Sequence, residues 1–332
     1  MIILEDLKIK SELREFITFT RNLSKKKNIS HGPGGNTSIK LGNSIHIKAS
    51  GTWLKDSLKK NSFLKINLNS IQNNLKNEKR WKFDRSKKHP SIETTMHALI
   101  EKKYVVHLHT ISVLSFAVLK EGKRLLKNKL KDVNWKWIKY KKPGIDLALE
   151  IKKEMLNKIN IYILQNHGLI IASNNLNKVN FYLKIIEQKL KKKKSLNLKK
   201  PKKIISIKNY KKPKNKIVQI FAYKEKFFHI LKKDKSLYPD HTVFLNNKIL
   251  VCNKLIKNFK YEDSEKKILI IKKVGVFVKN NITKAEYDML ICLAELLKTI
   301  PNNSMLSYLN KKEKDELVNW DKELIRQKFN KV

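Results

Sequence analysis

Tyr104-Val105-Val106-His107-Leu108-His109 is the stretch from which the rest of the chain can be read. Apolar and β-branched residues dominate it, which predicts a strand over 104–109, and residues i and i+2 of a strand project from the same face. His107 and His109 can therefore turn both imidazoles toward one ion, a pair that awaits a third ligand. A second β-branched run, Ile159 to Gln165, ends at Asn166-His167-Gly168 and supplies it. A lone histidine on an apolar strand is ordinarily a satisfied core residue. Two at this spacing, with a third before a glycine, point to a divalent ion, with one coordination position left for substrate. Zinc suits three imidazoles, as do manganese, iron and cobalt.

Glu93, in His89-Pro90-Ser91-Ile92-Glu93, precedes the strand and stands in the first turn of a helix predicted over 92–102, with Ser91 placed to cap it. A carboxylate beside a divalent cation can move a proton to or from a carbon the metal has acidified. The structural alternative is a glutamate favoured by the helix macrodipole. His97, four residues on, reads as a structural residue and as the histidine best placed to support Glu93 from behind. Two small-residue turns, Gly34-Gly35-Asn36-Thr37-Ser38 and Ser50-Gly51-Thr52, let backbone N–H groups and hydroxyls approach a phosphate closely.

The charge of +45 over 332 residues suggests nucleic acid or an anionic membrane, but its make-up argues otherwise. Arginine occurs only at positions 14, 21, 80, 85, 124 and 326; the other basic residues are lysines spread along the chain. Nucleic-acid readers concentrate arginine and interleave aromatics, so no specific nucleic-acid function is expected. Asn and Ile are abundant as well, in keeping with an A/T-rich coding sequence. Cys252 and Cys292 form no CxxC, and a reducing compartment follows. The N-terminus has no signal-peptide pattern, and the apolar stretch 104–119 is broken by His107, His109 and Thr110. We expect a cytoplasmic protein with no membrane segment.

Helices are predicted over 5–24, 112–120, 144–158 and 176–193, and strands over 37–40, 44–48 and 169–172. This alternation argues α/β. The lysine runs at 191–194 and 199–203 place a boundary within 191–215. Beyond it lie predicted strands at 217–223, 242–251 and 268–278, then helices over 283–299 and 311–329 split by Pro301-Asn302-Asn303.

Taken in order, Gly35-Asn36-Thr37-Ser38, Lys48-Ala49-Ser50-Gly51, Pro90-Ser91-Ile92-Glu93, His107-Leu108-His109 and Asn166-His167-Gly168 resemble the class II aldolase/adducin family over roughly residues 10–195. The resemblance implies a three-layer α/β/α domain with a mainly antiparallel central sheet over 1–200, and a small α+β extension over 201–332. It implies zinc at His107, His109 and His167, and Glu93 as the acid/base. Phosphate contacts are implied at Gly35, Asn36, Ser50, Gly51 and Ser91, with Ile92 where those aldolases commonly carry a second serine. The implied reaction is reversible retro-aldol cleavage of a phosphorylated ketose to dihydroxyacetone phosphate and an aldehyde, in a homo-oligomer expected to be a tetramer. The 14 positions from Glu93 to His107 are similar to the aldolase portion of bacterial rhamnulose-phosphate aldolase/alcohol dehydrogenase-like proteins. So are Leu237 to Leu245, Gly275-Val276-Phe277 and Asn319-Trp320-Asp321. No GxxxGxG occurs among nine glycines, so a dehydrogenase half is not expected. His241 reads as part of a turn-stabilising Pro-Asp-His, and His31, His46, His89 and His229 as structural or surface residues. Epimerases and dehydratases of the same family use nearly the same site and are the alternatives within it; a non-catalytic, adducin-like binding protein is the alternative outside enzymes.

Overall fold

The computed structural model describes residues 2–26, 28–76, 88–155, 159–192, 206–255, 261, 264–328 and 330. Helix α1 (Ile2–Leu23) leads into strands β1 (Asn36–Leu41), β2 (Ser44–Lys48) and β3 (Phe63–Asn67), then α2 (Leu68–Lys76), α3 (Thr94–Leu99) and β4 (Tyr104–Leu108). After these come α4 (Ile111–Ala117), α5 (Gly122–Lys129), β5 (Trp135–Ile138), α6 (Ile145–Glu154), β6 (Ile161–Leu164), β7 (Gly168–Ser173) and α7 (Leu176–Lys189). The seven strands form one sheet in the order β3-β2-β1-β4-β7-β6-β5, antiparallel throughout except for β5 beside β6.

Parity along β4 sorts the helices into layers, because alternate residues face opposite sides of a sheet. Val106 and Leu108 pack with Phe16 of α1, Val113 and Phe116 of α4, and Leu183 of α7. Val105 packs on the other side with Met96 of α3 and with Leu147 and Ile151 of α6. The result is a three-layer α/β/α arrangement with β4 at its centre.

Helix α3 is shorter than the predicted 92–102, and Lys40 shows why. Its ammonium donates to the carbonyls of His97 (2.7 Å), Ile100 (2.7 Å) and Lys102 (2.9 Å). Carbonyls at a helix C-terminus lack intrahelical partners, and one half-buried lysine satisfies three at this end. Strand β3 and helix α2 occupy part of 52–88, which reads only as polar in the sequence, and 77–87 lie outside the described residues. Residues 193–205, which hold most of the expected boundary, also lie outside them.

The rest of the chain adds β8 (Tyr210–Lys211), α8 (Ile220–Tyr223), α9 (Glu225–Lys232), α10 (Pro239–Leu245), β9 (Ile249–Cys252), β10 (Ile268–Ile271) and β11 (Gly275–Lys279). Helices α11 (Lys284–Thr299), α12 (Lys311–Val318) and α13 (Asp321–Lys328) end it. A second sheet runs β8-β11-β10-β9. Helix α4 is the seam between the two parts. Its Val113 and Phe116 face the large sheet, while Ile111 and Leu114, with Val118 just beyond, join a core built from Phe221, Phe244, Leu293 and their neighbours.

Four predictions change here. Residues 217–223 are a 3-10 turn and α8 rather than a strand, because the Asn215 side chain caps the Ile217 N–H at 3.0 Å and the run buries on the second core. Pro239, in the first turn of α10, makes 242–245 helical and leaves only 249–251 of the predicted strand extended, within β9. The stretch 268–278 is the antiparallel pair β10 and β11, with Lys273 at φ +59° in the turn. The predicted helix 311–329 breaks at Asn319-Trp320 into α12 and α13. Among the described residues, no helix is long and apolar enough to cross a membrane.

Candidate metal centre and substrate cleft

Register brings the predicted ligands together. Asn36 on β1 pairs with His107 on β4, and Leu108 pairs with Leu169 on β7. The β6–β7 hairpin closes at Leu164 opposite Gly168, so its turn residue His167 stands beside the end of β4. His109 lies just past that end. Gly168 is required by crowding, since a Cβ there would come within 2.6 Å of Leu108 O and 3.0 Å of the His109 ring. Asn166 reaches φ +51°, a conformation asparagine tolerates better than most residues, while its amide donates to Leu237 O (2.8 Å) and Ser307 O (2.9 Å).

Hydrogen bonds behind two of the three imidazoles settle their tautomers. His107 Nδ1 lies 3.1 Å from Leu169 O, and His109 Nδ1 lies 2.8 Å from Asp240 Oδ2. A carbonyl and a carboxylate only accept, so each Nδ1 carries the proton and each Nε2 presents a lone pair. Those two Nε2 atoms face each other at 2.9 Å, an arrangement that repels unless a cation sits between them. One ligand atom from each of the three histidines falls within 4.8 Å of the others, and all three rings are buried. An ion with bonds of about 2 Å separates tetrahedral ligands by about 3.4 Å, inside that spread. Burial lowers His107 to about 4 and His167 to about 3, in both cases against the pull of Glu93, so the neutral, ligating form prevails. The donor set fits a divalent ion.

Glu93 closes the cage, with Oε2 at 3.4 Å from His107 Nε2 and Oε1 at 3.5 Å from His167 Nε2. Burial would raise its pKa, but His107, His167 and the Asn36 amide prevail and hold it at about 2. Behind it runs a directed chain. The Ser38 hydroxyl donates to His97 Nδ1 (2.7 Å), His97 Nε2 donates to Asn36 Oδ1, and Asn36 Nδ2 donates to Glu93 Oε2 (2.7 Å). Among the described residues, Oε1 has no hydrogen-bond partner. His97 thus stands behind Glu93 through Asn36, whose amide is engaged by that carboxylate.

The remaining predicted contacts gather on one cleft. Gly35, Asn36, Ser50, Gly51, Ser91 and Glu93 line it together with His109 and His167, while His107 lies beneath. Gly35 adopts φ +73° against His107 O, where a Cβ would approach within 2.9 Å. Ser91 Oγ accepts from the Glu93 N–H at 3.3 Å, which leaves its own proton to donate elsewhere. Ile92 lines the wall too.

Four charged residues in the cleft were not singled out from the sequence: Lys48, Asp240, Glu323 and Arg326. Lys48 is buried, donates to Thr52 O, and is pushed down to about 7 by burial and by Arg326. Arg326 donates to Asp240 Oδ1 and sets Nε 2.7 Å from Glu323 Oε2. One usable signal was composition, since Arg326 is one of six arginines in a lysine-rich chain. The other was position, since Asp240 precedes His241. The turn expected around His241 is helix α10, and His241 Nδ1 accepts the Leu237 N–H at 3.2 Å.

The Class II Aldolase and Adducin N-terminal domain family matches residues 14–191. A Bacillus subtilis (strain 168) protein, the uncharacterized oxidoreductase YuxG, is 24% identical over 180 residues, a match that takes in 48% of this chain and 26% of that one. Among solved structures, the N-terminal class II aldolase domain of a conserved Thermoplasma acidophilum protein aligns with a TM-score of 0.45 and 21% identity, over 52% of this chain and 89% of that one. A sugar-phosphate aldolase from Thermotoga maritima aligns with a TM-score of 0.44 and 16% identity, over 55% of this chain and 93% of that one.

Proposed function

Since the chain belongs to the class II aldolase and adducin family, we propose that it is a metal-dependent aldehyde-lyase that cleaves a phosphorylated ketose reversibly to dihydroxyacetone phosphate and an aldehyde. The observation that carries this reading is the convergence of two Nε2 lone pairs, the His167 ring and the unpartnered Glu93 Oε1 on one buried point. His107, His109 and His167 would hold the ion, with zinc the first choice. When bound, it would supply Lewis-acid polarisation of a substrate carbonyl and acidify the neighbouring carbon.

The protein's own groups do the rest. Oε1 of Glu93 is the proton-handling atom, because Oε2 is fixed by Asn36. Burial around it excludes water that would otherwise compete for the proton. Ser91 Oγ–H, the Ser50-Gly51 turn and Gly35 would receive the phosphate, with the buried Lys48 amine beside them as a further donor. Asn330 supports the turn by donating to Gly51 O at 3.2 Å.

In this reading residues 1–200 form the catalytic unit and 201–332 an extension that supplies Asp240 and Arg326. It includes a homo-oligomer in a reducing compartment, in keeping with Cys252 and Cys292, both free thiols. The test incubates the zinc-loaded chain with a panel of ketose phosphates and assays dihydroxyacetone phosphate. Its appearance from one member supports the lyase; an isomerised or dehydrated product in its place would assign an epimerase or dehydratase. Stoichiometric zinc in the purified protein separates either enzyme from an adducin-like binding protein.

A further inference from the structure

All three candidate ligands lie before residue 191, yet the group behind one of them does not. We propose that Asp240, on α10, is a positioning residue for His109, so that the C-terminal part of the chain completes the metal site; this rests on the reading that the three histidines hold a divalent ion.

Asp240 is 1% exposed and uses its two oxygens in opposite directions. Oδ2 accepts from His109 Nδ1 at 2.8 Å, and Oδ1 accepts from Arg326 Nη2. Both neighbours donate, so the residue between them must accept on both sides, and an ionised carboxylate is the side chain of this size that does so. Arg326 stands against the carboxylate as a buried positive charge opposite His109. Arg326 is itself fixed by Glu323 and by the Phe244 ring, 5.1 Å from the guanidinium carbon. Gly34 leaves the contact its room, since a Cβ there would come within 2.7 Å of Asp240 Oδ2 and 3.1 Å of His109 Nδ1. The consequence for His109 is chemical. Its proton stays on Nδ1, its Nε2 lone pair points into the cage, and its ring is oriented and made a stronger donor.

A plain ion pair anchoring α13 to α10 would use the same contacts, and the two roles part when Asp240 becomes asparagine. The amide can present oxygen to His109 or to Arg326 but not to both. Cobalt(II), whose visible absorption reports ligand geometry, is titrated into the metal-free full-length chain. We expect wild-type protein to bind one cobalt, and Asp240→Asn to bind about 10- to 100-fold more weakly with shifted bands. In Asp240→Asn/Arg326→Met the demand from Arg326 is gone and the amide oxygen is free to face His109, so affinity and bands return part of the way. A structural ion pair predicts further loss in that double variant, and the double variant also carries the test if the single one fails to fold. Wild-type affinity and spectrum in Asp240→Asn, or a double variant no better than the single, would overturn the proposal. Wild-type protein that takes up no cobalt would overturn the metal reading beneath it.

Discussion

The two sides of the cleft are held by different physics. On the N-terminal side, Asn36, His107 and His167 take their places from backbone ladders, with Asn36 opposite His107 and Gly168 closing a hairpin onto Leu164. On the C-terminal side, Asp240, Arg326 and Asn330 arrive through side-chain hydrogen bonds and through packing of α10 on α11 and of α11 on α4. A ladder fixes every side chain it carries, so ligands on it sit in short, ordered motifs. Side-chain bonds spanning 86 or 131 positions leave no such trace. In the proposed reading the chemistry belongs to the first side and its orientation to the second, and that division can be broken experimentally.

The largest effect is expected from Glu93→Gln, which keeps an acceptor for the Asn36 amide but removes the base. Turnover on the substrate identified by the panel should fall by about 10²–10⁴, with metal content unchanged. A loss below tenfold would move the proton step off Glu93 and toward the C-terminal wall.

Asn166 is the stitch between the sides, so it comes next. Asn166→Ala leaves Leu237 O and Ser307 O short of a donor and places alanine at a positive φ, together worth about 3 kcal/mol in a denaturant titration. Asn166→Gly accepts the backbone conformation and should recover about 1 kcal/mol of that. If the two variants are equal, the backbone is not the constraint and the amide alone joins the parts.

The same division explains what could be read in advance. The α/β alternation and the ordered motifs of the N-terminal side were legible, because strand parity and glycine turns leave periodic or local signals, and the three-layer architecture followed from the family resemblance those motifs carry. What failed was context-dependent. Residues 217–223 are β-branched and apolar, and only the core they bury against makes them helical. Asp240 looked like half of a turn because its partners, His109 and Arg326, lie far off in sequence. Lys48 was quoted within a motif without a role, since lysine in this chain is too common to draw notice.

Protonation should separate one carboxyl of the C-terminal side, Glu323, from the histidines by sign. In the metal-free protein, His107 and His167 are held near 4 and 3, so the unfolded chain binds more protons below its ordinary histidine pKa of about 6.5. Their contribution is complete above that pH and is lost as pH falls. Glu323 behaves oppositely. Burial pushes it up to about 7 despite Arg326, so its contribution is complete below about 4.5 and is lost as pH rises through 7. Subtracting the stability of Glu323→Gln from that of the wild type should leave a difference that declines by about 2 kcal/mol between pH 5 and 8. A difference that rises with pH would show that Arg326, not burial, governs this carboxyl.

The smallest effect tests whether the C-terminal part acts on the site only through named contacts. Thr283 opens α11 with a capping box, its Oγ1 accepting the Glu286 N–H at 3.2 Å while Glu286 accepts the Thr283 N–H at 2.8 Å. Thr283→Ala removes the first bond and should cost about 1 kcal/mol, read as a small drop in melting temperature. Glu286 stays in place, because Lys248 (2.8 Å) and Lys267 (3.0 Å) still hold its carboxylate. Among the described residues, helix α11 packs on α4 but bonds to none of the three histidines, so cobalt affinity should not change. If affinity falls along with stability, the orientation of His109 depends on the packing of the whole second core, and Asp240 is only its last link.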